Sequence, residues 1–334
     1  MCICLLLTGV NPYYQAAMDR ALNPYRPRTM CNYRRQLHLF VCFSIRTKAP
    51  VVLPVENLIS FLEFLASCHV SPRSICNYVS GIKSYLAVYQ HPVQWLDHSM
   101  IRNYLRSLQL NVPTVHRLKD TITLQDFYNI SVLLQQFDHP LVYRAAFALS
   151  FYGFLRISNL VPSSKKSSDA TRQLTKGDVT FTPHGVRLFI KWAKNLQKTQ
   201  QSQVILLPIM SNSLLSPYHI LHSLFSSQHY SHTDPVIKNS EGPLCEVHLR
   251  KRLHLILNML GLPTASLTYH SLRRSGASLA FNNRVDFKAI KAQGVWNSDS
   301  VYKYLFANSE TMQQVPRMFQ ALESTVLFGG SLCT

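Results

Sequence analysis

Apolar residues recur at helical spacing along most of this chain, and the spacing stops between Leu110 and Thr123. A stripe that repeats every three or four positions is typical of an amphipathic helix with one buried face. The interruption is polar and basic. We therefore expect a mainly α-helical protein with an N-terminal helical domain at 1–112, a linker at 113–122 and a second domain at 123–334.

The first domain contains four predicted helices. Pro54 opens the second of them, and Ser71-Pro72 predicts the start of the third, because Ser favours the N-cap and Pro the first helical position. A fourth, weaker segment covers about Asp97 to Leu108, which makes the domain a small bundle. The predicted buried stripes are Met30, Tyr33, Leu37 and Phe40, then Leu58, Phe61, Leu62 and Leu65, then Ile75, Val79, Ile82, Leu86 and Tyr89.

The second domain begins with helices and continues with a β-hairpin. Thr123 and Asp126 resemble a capping pair ahead of helices at 127–137 and 141–152, and Gly153 breaks the latter. The β-branched and aliphatic runs Val186–Ala193 and Gln203–Pro208 predict the hairpin, and a further helix at 247–260 ends at Gly261, a C-cap signal. The predicted fold is mainly α with a small β-hairpin or sheet, and the second domain is α+β.

The charge balance indicates a polyanionic partner. The chain has 34 Lys and Arg against 16 Asp and Glu, a formal net charge of +18. Such an excess destabilises a compact state unless a polyanion offsets it, which favours a nucleic-acid partner. With 47% hydrophobic and 15% charged residues the chain is typical of a globular protein. No run approaches the roughly 20 apolar residues of a membrane span, so we expect a soluble protein.

Cysteine usage indicates a reducing compartment. The cysteines form no CxxC pair, and we interpret them as reduced core residues that offer no zinc site. The apolar opening MCICLLLTGV is too short for a membrane span and lacks the basic start of a signal peptide. The eight cysteines are Cys2, Cys4, Cys31, Cys42, Cys68, Cys76, Cys245 and Cys333.

One run combines a proton-transfer group with a fixed cation. In Tyr269-His-Ser-Leu-Arg-Arg-Ser-Gly-Ala-Ser-Leu-Ala280, His270 and Arg273 lie three apart and face the same side of a helix. Alone, this spacing is also typical of an inert surface pair. The residues predicted to bury the reverse side, so that the pair need not lie in the core, are Leu272, Leu279 and Phe281.

Two further motifs stand in a fixed order around that run. Upstream is Phe151-Tyr-Gly-Phe-Leu-Arg-Ile-Ser-Asn-Leu160, and downstream is Gly294-Val-Trp-Asn-Ser-Asp-Ser-Val-Tyr-Lys-Tyr-Leu305. An Arg after a helix break, a Lys at a hairpin, an HxxR helix, a Trp and then a Tyr together resemble the active-site series of the tyrosine recombinases, the phage-integrase family. The first-domain helices, with SPRSICNYVSGIKSYL, look like its core-binding domain. The eukaryotic DIRS-like transposon recombinases look like the nearest relatives.

The resemblance implies a catalytic role for four groups that meet the scissile phosphate. Arg156 and Arg273 match the two arginines that hold it, and guanidinium forks fit its nonbridging oxygens. His270 would assist proton transfer. Trp296 stands where members carry His or Trp, and an indole N–H can only donate a hydrogen bond.

The resemblance also implies a proton donor and a nucleophile. Lys194 matches the hairpin lysine that protonates the leaving 5′ oxygen, with Lys191 and Lys198 as competitors. Tyr304, followed by an aliphatic residue, fits the nucleophile better than Tyr302 does. Its attack would give a 3′-phosphotyrosyl link, which conserves the phosphodiester energy, so neither a cofactor nor ATP nor a metal is expected.

The implied partners are double-stranded DNA and further copies of the chain. The amphipathic segment at 312–322, with Met312, Val315, Phe319 and Leu322, either docks on a neighbouring protomer, giving a tetramer on two DNA sites, or folds back on its own domain. The location would be the nucleus in a eukaryotic cell and otherwise the cytoplasm with its nucleoid. Candidate DNA contacts in the first domain are Arg34, Arg35, Arg73, Asn77 and Lys83.

One residue departs from the family pattern. Many members carry an acid three residues after the first arginine, where this chain has Asn159. Asn can orient a histidine but cannot stabilise an imidazolium by charge, so activity would be reduced. The alternative function is therefore a transposon-derived DNA-binding protein with weak or no activity. A type IB topoisomerase fits the first-domain helices less well, and a metal-dependent transposase or nuclease lacks a recognisable acidic cluster.

Overall fold

The computed structural model describes residues 25, 27–48, 54–111, 120–164, 169, 171–192, 202–296, 301, 302, 305 and 313. Packing divides the chain into two compact units, residues 1–116 and 117–334. Helices dominate both units, and a small antiparallel sheet lies in the second. The predicted fold class, mainly α with a small β element, is confirmed.

The first unit is a bundle of helices around one apolar core. Ser71 accepts a hydrogen bond from the Ser74 N–H at 3.3 Å and Pro72 opens the next helix, as predicted. Tyr89 was predicted to be buried, and this is wrong: it follows the last residue of its helix and is 54% exposed. The helices are α1 (Pro27–Arg46), α2 (Pro54–Ser67), α3 (Pro72–Val88) and α4 (Ser99–Asn111).

The second unit begins at a capping box. The Thr123 hydroxyl accepts a hydrogen bond from the Asp126 N–H, and the Asp126 carboxylate accepts one from the Thr123 N–H, as predicted. Gly153 ends the second helix of the unit, also as predicted. The helices are α5 (Leu124–Leu133), α6 (Pro140–Tyr152), α7 (Ile157–Leu160), α8 (Pro217–Ser227), α9 (Glu246–Met259), α10 (Tyr269–Asn282) and α11 (Phe287–Gln293).

The predicted hairpin forms part of a three-stranded antiparallel sheet. Its strands pair Val186 with Leu207 and Ile190 with Gln203, which confirms the hairpin. An additional edge strand, which was not predicted, pairs Val179 with Leu188. The strands are β1 (Val179–Thr182), β2 (Gly185–Ile190) and β3 (Gln203–Leu207), with a separate ribbon of β4 (Lys238–Asn239) and β5 (Gly242–Pro243).

Helices α6 and α10 form the centre of the second unit. The Tyr269 hydroxyl of α10 accepts a hydrogen bond from the Ser150 hydroxyl at 2.9 Å and donates one to the Ala146 carbonyl at 3.0 Å. About two turns further along α10, a Cβ added to Gly276 would lie 1.9 Å from the Phe151 carbonyl oxygen. The missing side chain of Gly276 therefore lets α10 pass directly against the end of α6.

The cysteines differ from their predicted environment. Cys31, Cys42 and Cys68 are exposed, Cys76 is half-buried and Cys245 is buried, so the prediction of core residues is wrong for the first three. They lie on outward faces or just past a helix end, positions that helical spacing alone does not distinguish. Among the described residues, no three His, Cys, Asp or Glu side chains group as metal ligands. No helix in the described part of the chain is long and apolar enough to cross a membrane.

Candidate active site

Arg273 joins three segments of the second unit. Its guanidinium donates hydrogen bonds to the Phe154 carbonyl and, at 2.7 Å, to the Gly294 carbonyl. Its Cζ atom lies 3.9 Å from the ring centroid of Trp296. The side chain is only 2% exposed. Arg273 thus ties α10 to the turn after α6 and to the turn after α11.

The predicted orientation of α10 is therefore wrong in part. Leu272 is buried as expected, but so is Arg273, and Leu279 of the supposed inner face is 37% exposed. The small residues that follow Arg273 allow neighbouring elements to approach α10 from several sides, so residues 271–278 are all buried. Periodicity could not predict a helix that is surrounded in this way.

Both carbonyl groups that Arg273 binds belong to unusual turns. Phe154 has φ 48°, and Val295, next to Gly294, has φ 54°. Left-handed backbone costs a non-glycine residue on the order of 1–3 kcal/mol and is rarest for β-branched residues such as valine. The hydrogen bonds from Arg273 help to hold these conformations. The turn after α6 and the turn after α11 are thereby fixed to each other.

Arg156 lies two residues beyond the Phe154 carbonyl. It is the N-cap residue of α7 and is half-buried. Its backbone N–H donates a hydrogen bond to the Asn159 side-chain oxygen at 3.2 Å. The two predicted phosphate-binding arginines are thus brought to the same turn, one through its backbone position and the other through its side chain.

Asn159 is directed at backbone groups. Besides accepting the bond from Arg156, its side-chain nitrogen donates to the Trp192 carbonyl at 2.6 Å, and its own carbonyl accepts from the Leu174 N–H at 2.8 Å. The side chain is buried, with 5% exposure. The side-chain amide thus binds the backbone of its own turn and of the residue pair after β2, and orientation of His270 by Asn159 stays a prediction.

His270 lies at the exposed start of α10, beside a basic groove. The groove has a volume of about 350 Å³ and runs between α9 and the start of α10. Arg250, Lys251 and His254 line one side, and Thr268 lines the other. Arg250 is paired with Glu246 at 3.1 Å. These residues were not predicted as part of the site, although the sequence Glu246-Val-His-Leu-Arg-Lys-Arg-Leu-His254 indicates a basic helix.

Of the three candidate lysines, only Lys191 is among the described residues. Lys194 and Lys198 lie outside the described residues. Lys191 forms an ion pair with the buried Asp178 at 2.6 Å and contacts the Thr175 hydroxyl at 3.3 Å. Its ammonium is therefore held by the sheet, which makes it less suited to donate a proton to DNA. Lys194 stays the predicted proton donor.

The chain that carries the two tyrosines is anchored beside Trp296. Val301 is fully buried in a small apolar cluster with Phe154 and Trp296. Tyr302 is 60% exposed and stacks on Phe287 with ring centroids 4.6 Å apart. Tyr304 lies outside the described residues.

Trp296 packs beneath Arg273. Its indole is 3% exposed and lies within the same small cluster. A Cβ on Gly294 would lie 1.7 Å from the Trp296 ring, so this position suits only glycine while the ring keeps its place. A direct hydrogen bond from Trp296 to a phosphate stays a prediction. The contact that the structure provides is the stack with the guanidinium.

The candidate DNA contacts of the first unit differ in charge. Lys83 is paired with Asp97 at 2.5 Å, so it contributes little net charge. The remaining four candidates are exposed: Arg34, Arg35, Arg73 and Asn77.

A second groove lies next to the candidate site and is apolar. It has a volume of about 500 Å³ and is bordered by the end of α6, the second half of α10 and α11. Its lining includes Tyr152, Leu279, Ala280, Val285, Ala289 and Ile290. The segment at 312–322 that was predicted to dock lies outside the described residues, except for Gln313.

Comparison with solved structures identifies the fold. No protein-family model and no characterised protein matches the sequence. The XerH site-specific recombinase bound to a palindromic difH substrate matches with a TM-score of 0.59 at 15% identity, over 88% of this chain and 79% of that one. A Tn1549 transposon integrase in complex with circular intermediate DNA gives 0.58 at 14%, over 91% and 97%. A lambda integrase dimer bound to a COC′ core site gives 0.56 at 14%, over 87% and 76%. The chain has the fold that these DNA-bound proteins share.

Proposed function

We propose that this chain, which has the fold of the tyrosine recombinases, is a site-specific DNA recombinase that cleaves and rejoins DNA through a 3′-phosphotyrosyl intermediate. One observation carries the proposal. Arg273 joins the turn that bears Arg156 to the segment that leads through Trp296 to Val301. Three residues implied by the family series, Arg156, Arg273 and Trp296, are far apart in the chain and lie around this junction, in a fold shared with the DNA-bound recombinases described above.

In the proposed reaction, the phenolate oxygen of Tyr304 attacks the scissile phosphorus. An oxygen–phosphorus bond forms to the tyrosine, the bond from phosphorus to the 5′ oxygen breaks, and Lys194 gives that oxygen a proton. His270 assists the proton transfer at the tyrosine. The reverse sequence on a new 5′ hydroxyl restores the DNA, and because the bond energy is conserved the reaction needs no ATP. The basic side chains supply the charge stabilisation and proton transfer for which other enzymes use a metal.

The two arginines have different parts in this scheme. Arg156, which is half-buried, binds the nonbridging oxygens and stabilises the negative charge that they gain in the transition state. Arg273 holds the turn that presents Arg156. It reaches the phosphate itself when one of its two backbone carbonyl partners yields its hydrogen bond.

The remaining parts of the proposal concern partners and setting. Residues 1–112 act as a core-binding domain on double-stranded DNA, and residues 123–334 act as the catalytic domain. Four copies assemble on two DNA sites when the segment at 312–322 of one copy enters the apolar groove of the next. A DIRS-like transposable element and the nucleus are the proposed setting. The alternative is a DNA-binding protein without cleavage activity.

The decisive experiment traps the covalent intermediate. The full chain is incubated in EDTA with a pool of nicked duplexes of random sequence, so that cleavage releases a short strand and religation is blocked, and adducts are separated under denaturing conditions. We expect an adduct with the natural chain and with Tyr302→Phe, and none with Tyr304→Phe.

Each other outcome has a defined meaning. An adduct lost only with Tyr302→Phe would reassign the nucleophile. DNA binding with no adduct from any of the three proteins would support the alternative function. An adduct that requires added Mg²⁺ would contradict the metal-independent reaction.

A further inference from the structure

Asn159 connects two parts of the site that are 33 residues apart in sequence. Its side-chain oxygen accepts the Arg156 N–H at 3.2 Å, and its side-chain nitrogen donates to the Trp192 carbonyl at 2.6 Å. Because one partner can only donate and the other can only accept, the orientation of the amide is fixed. Asn159 is buried, so neither bond competes with bulk water.

The Trp192 carbonyl lies just after the end of β2, in the sequence that continues to the proposed proton donor. Trp192 follows β2 by two residues, and Lys194 follows Trp192 by two. The Lys191–Asp178 ion pair, at 2.6 Å, also holds the end of β2. Two of the three candidate lysines, Lys191 and Lys194, therefore flank in sequence the residue whose carbonyl Asn159 binds.

An asparagine is suited to this link in a way that an aspartate is not. A carboxylate could still accept the Arg156 N–H, but at neutral pH it has no hydrogen to donate to the Trp192 carbonyl. Two oxygen atoms that carry negative charge would then face each other at 2.6 Å inside the protein, which is strongly unfavourable. The amide at this position is thus matched to a carbonyl partner.

We propose that Asn159 is a positioning residue that couples the Arg156 turn to the end of β2, so that the phosphate-binding arginine and the lysine proton donor reach the same phosphodiester. This inference rests on the proposed recombinase function. It assigns a role to the position at which the chain departs from the family series. The departure then adapts the site to its own backbone and is no sign of a decayed enzyme.

The test compares two leaving groups on nicked duplexes of the sequence that gives the natural chain its adduct. One duplex has the ordinary 5′ oxygen at the scissile phosphate, and the other has sulfur in its place. A thiolate leaves without a proton, since a thiol has a pKa near 8.5, so the sulfur duplex does not need the lysine. Asn159→Asp keeps the acceptor for Arg156 and removes the donor to Trp192. Asn159→Leu removes both.

We expect Asn159→Asp to slow adduct formation on the oxygen duplex on the order of 10²-fold, the lower end of a general-acid contribution. On the sulfur duplex it should react about as fast as the natural chain. Asn159→Leu should be slow on both duplexes, since Arg156 loses its anchor as well. Comparing two duplexes with one protein preparation cancels any loss of folded protein.

Equal slowing of Asn159→Asp on both duplexes would overturn the inference, because it would indicate a general structural role. An unchanged rate on the oxygen duplex would overturn it too. Failure of the proposed function has another signature: the natural chain itself would form no Tyr304-dependent adduct with either duplex, and the inference would fall with it.

Discussion

Gly276 sets the distance between α6 and α10, and its replacement is a direct test of the packing that forms the site. In Gly276→Ala the new Cβ would lie 1.9 Å from the Phe151 carbonyl oxygen and 2.9 Å from the Phe154 ring. The backbone of α6 cannot rotate away as a side chain can, so the helices must separate. Overpacking of this kind typically costs about 1–3 kcal/mol.

The expected result is a lower thermal unfolding midpoint, by about 2–4 °C for each kcal/mol in a domain of this size. The adduct yield per folded protein should also fall, because the Phe154 carbonyl moves away from Arg273. Ala265→Ser, at an exposed position four residues before the same helix, is the control. A midpoint and adduct yield equal to those of the control would contradict the proposed contact.

At this scale the sequence selected candidate residues but did not predict their arrangement. The order of Arg156, His270, Arg273 and Trp296 was enough to select them. The burial of Arg273 and its carbonyl partners could not be predicted, because they depend on two left-handed turns whose residues, Phe154 and Val295, carry no glycine signal. Asn159 was selected as a departure from the family pattern, but its bond to the Trp192 carbonyl could not be predicted, because only the fold brings these segments together.

Helix α9 is the element that we propose extends the DNA path beyond the candidate site. Its Lys251 is exposed and lines the basic groove beside the start of α10. If this groove follows the DNA backbone, Lys251→Ala removes one phosphate contact. The slope of log K against log salt concentration should then become less negative by about 0.9.

The measurement is DNA affinity at several salt concentrations. Lys238→Ala is the control. The Lys238 ammonium is paired with Asp234 at 2.6 Å, so its removal should leave the slope unchanged. Equal slopes for Lys251→Ala and the natural chain would exclude the groove from the DNA path.

Most elements with a strong local signal were predicted, but strand β1 and helix α8 were missed. The capping pair at Thr123 and the alternating strands β2 and β3 carry their signal in their own residues. Strand β1 has four residues, and its pairing with β2 stabilises it. Helix α8 was not predicted, although Ser216 and Pro217 supply an N-cap residue and a first-turn proline.

The whole-molecule question is how copies of the chain assemble on DNA. Ala289 is exposed and lines the apolar groove, so Ala289→Trp should fill the space proposed for the segment at 312–322 of a second copy. We expect this variant to bind a single DNA site normally and to lose the tetramer on two sites. Phe319→Asp, on the proposed incoming segment, should give the same loss.

The mass of the protein–DNA complex in solution, measured by light scattering, distinguishes the outcomes. Ala292→Trp adds the same bulk to an exposed position of α11 that does not line the groove, and it should keep the tetramer. Tetramers with Ala289→Trp would exclude the groove as the docking site. They would favour the alternative in which the segment folds back on its own domain.

The side chain of Arg273 spans long intervals of the polypeptide, with one hydrogen-bond partner 119 positions earlier and the other 21 positions later. A nascent chain still emerging from the ribosome, or a fragment cut before Gly294, has only one of these partners. In such incomplete products the two turns are not joined. The arrangement around Arg273 therefore forms only when synthesis of the chain is nearly finished.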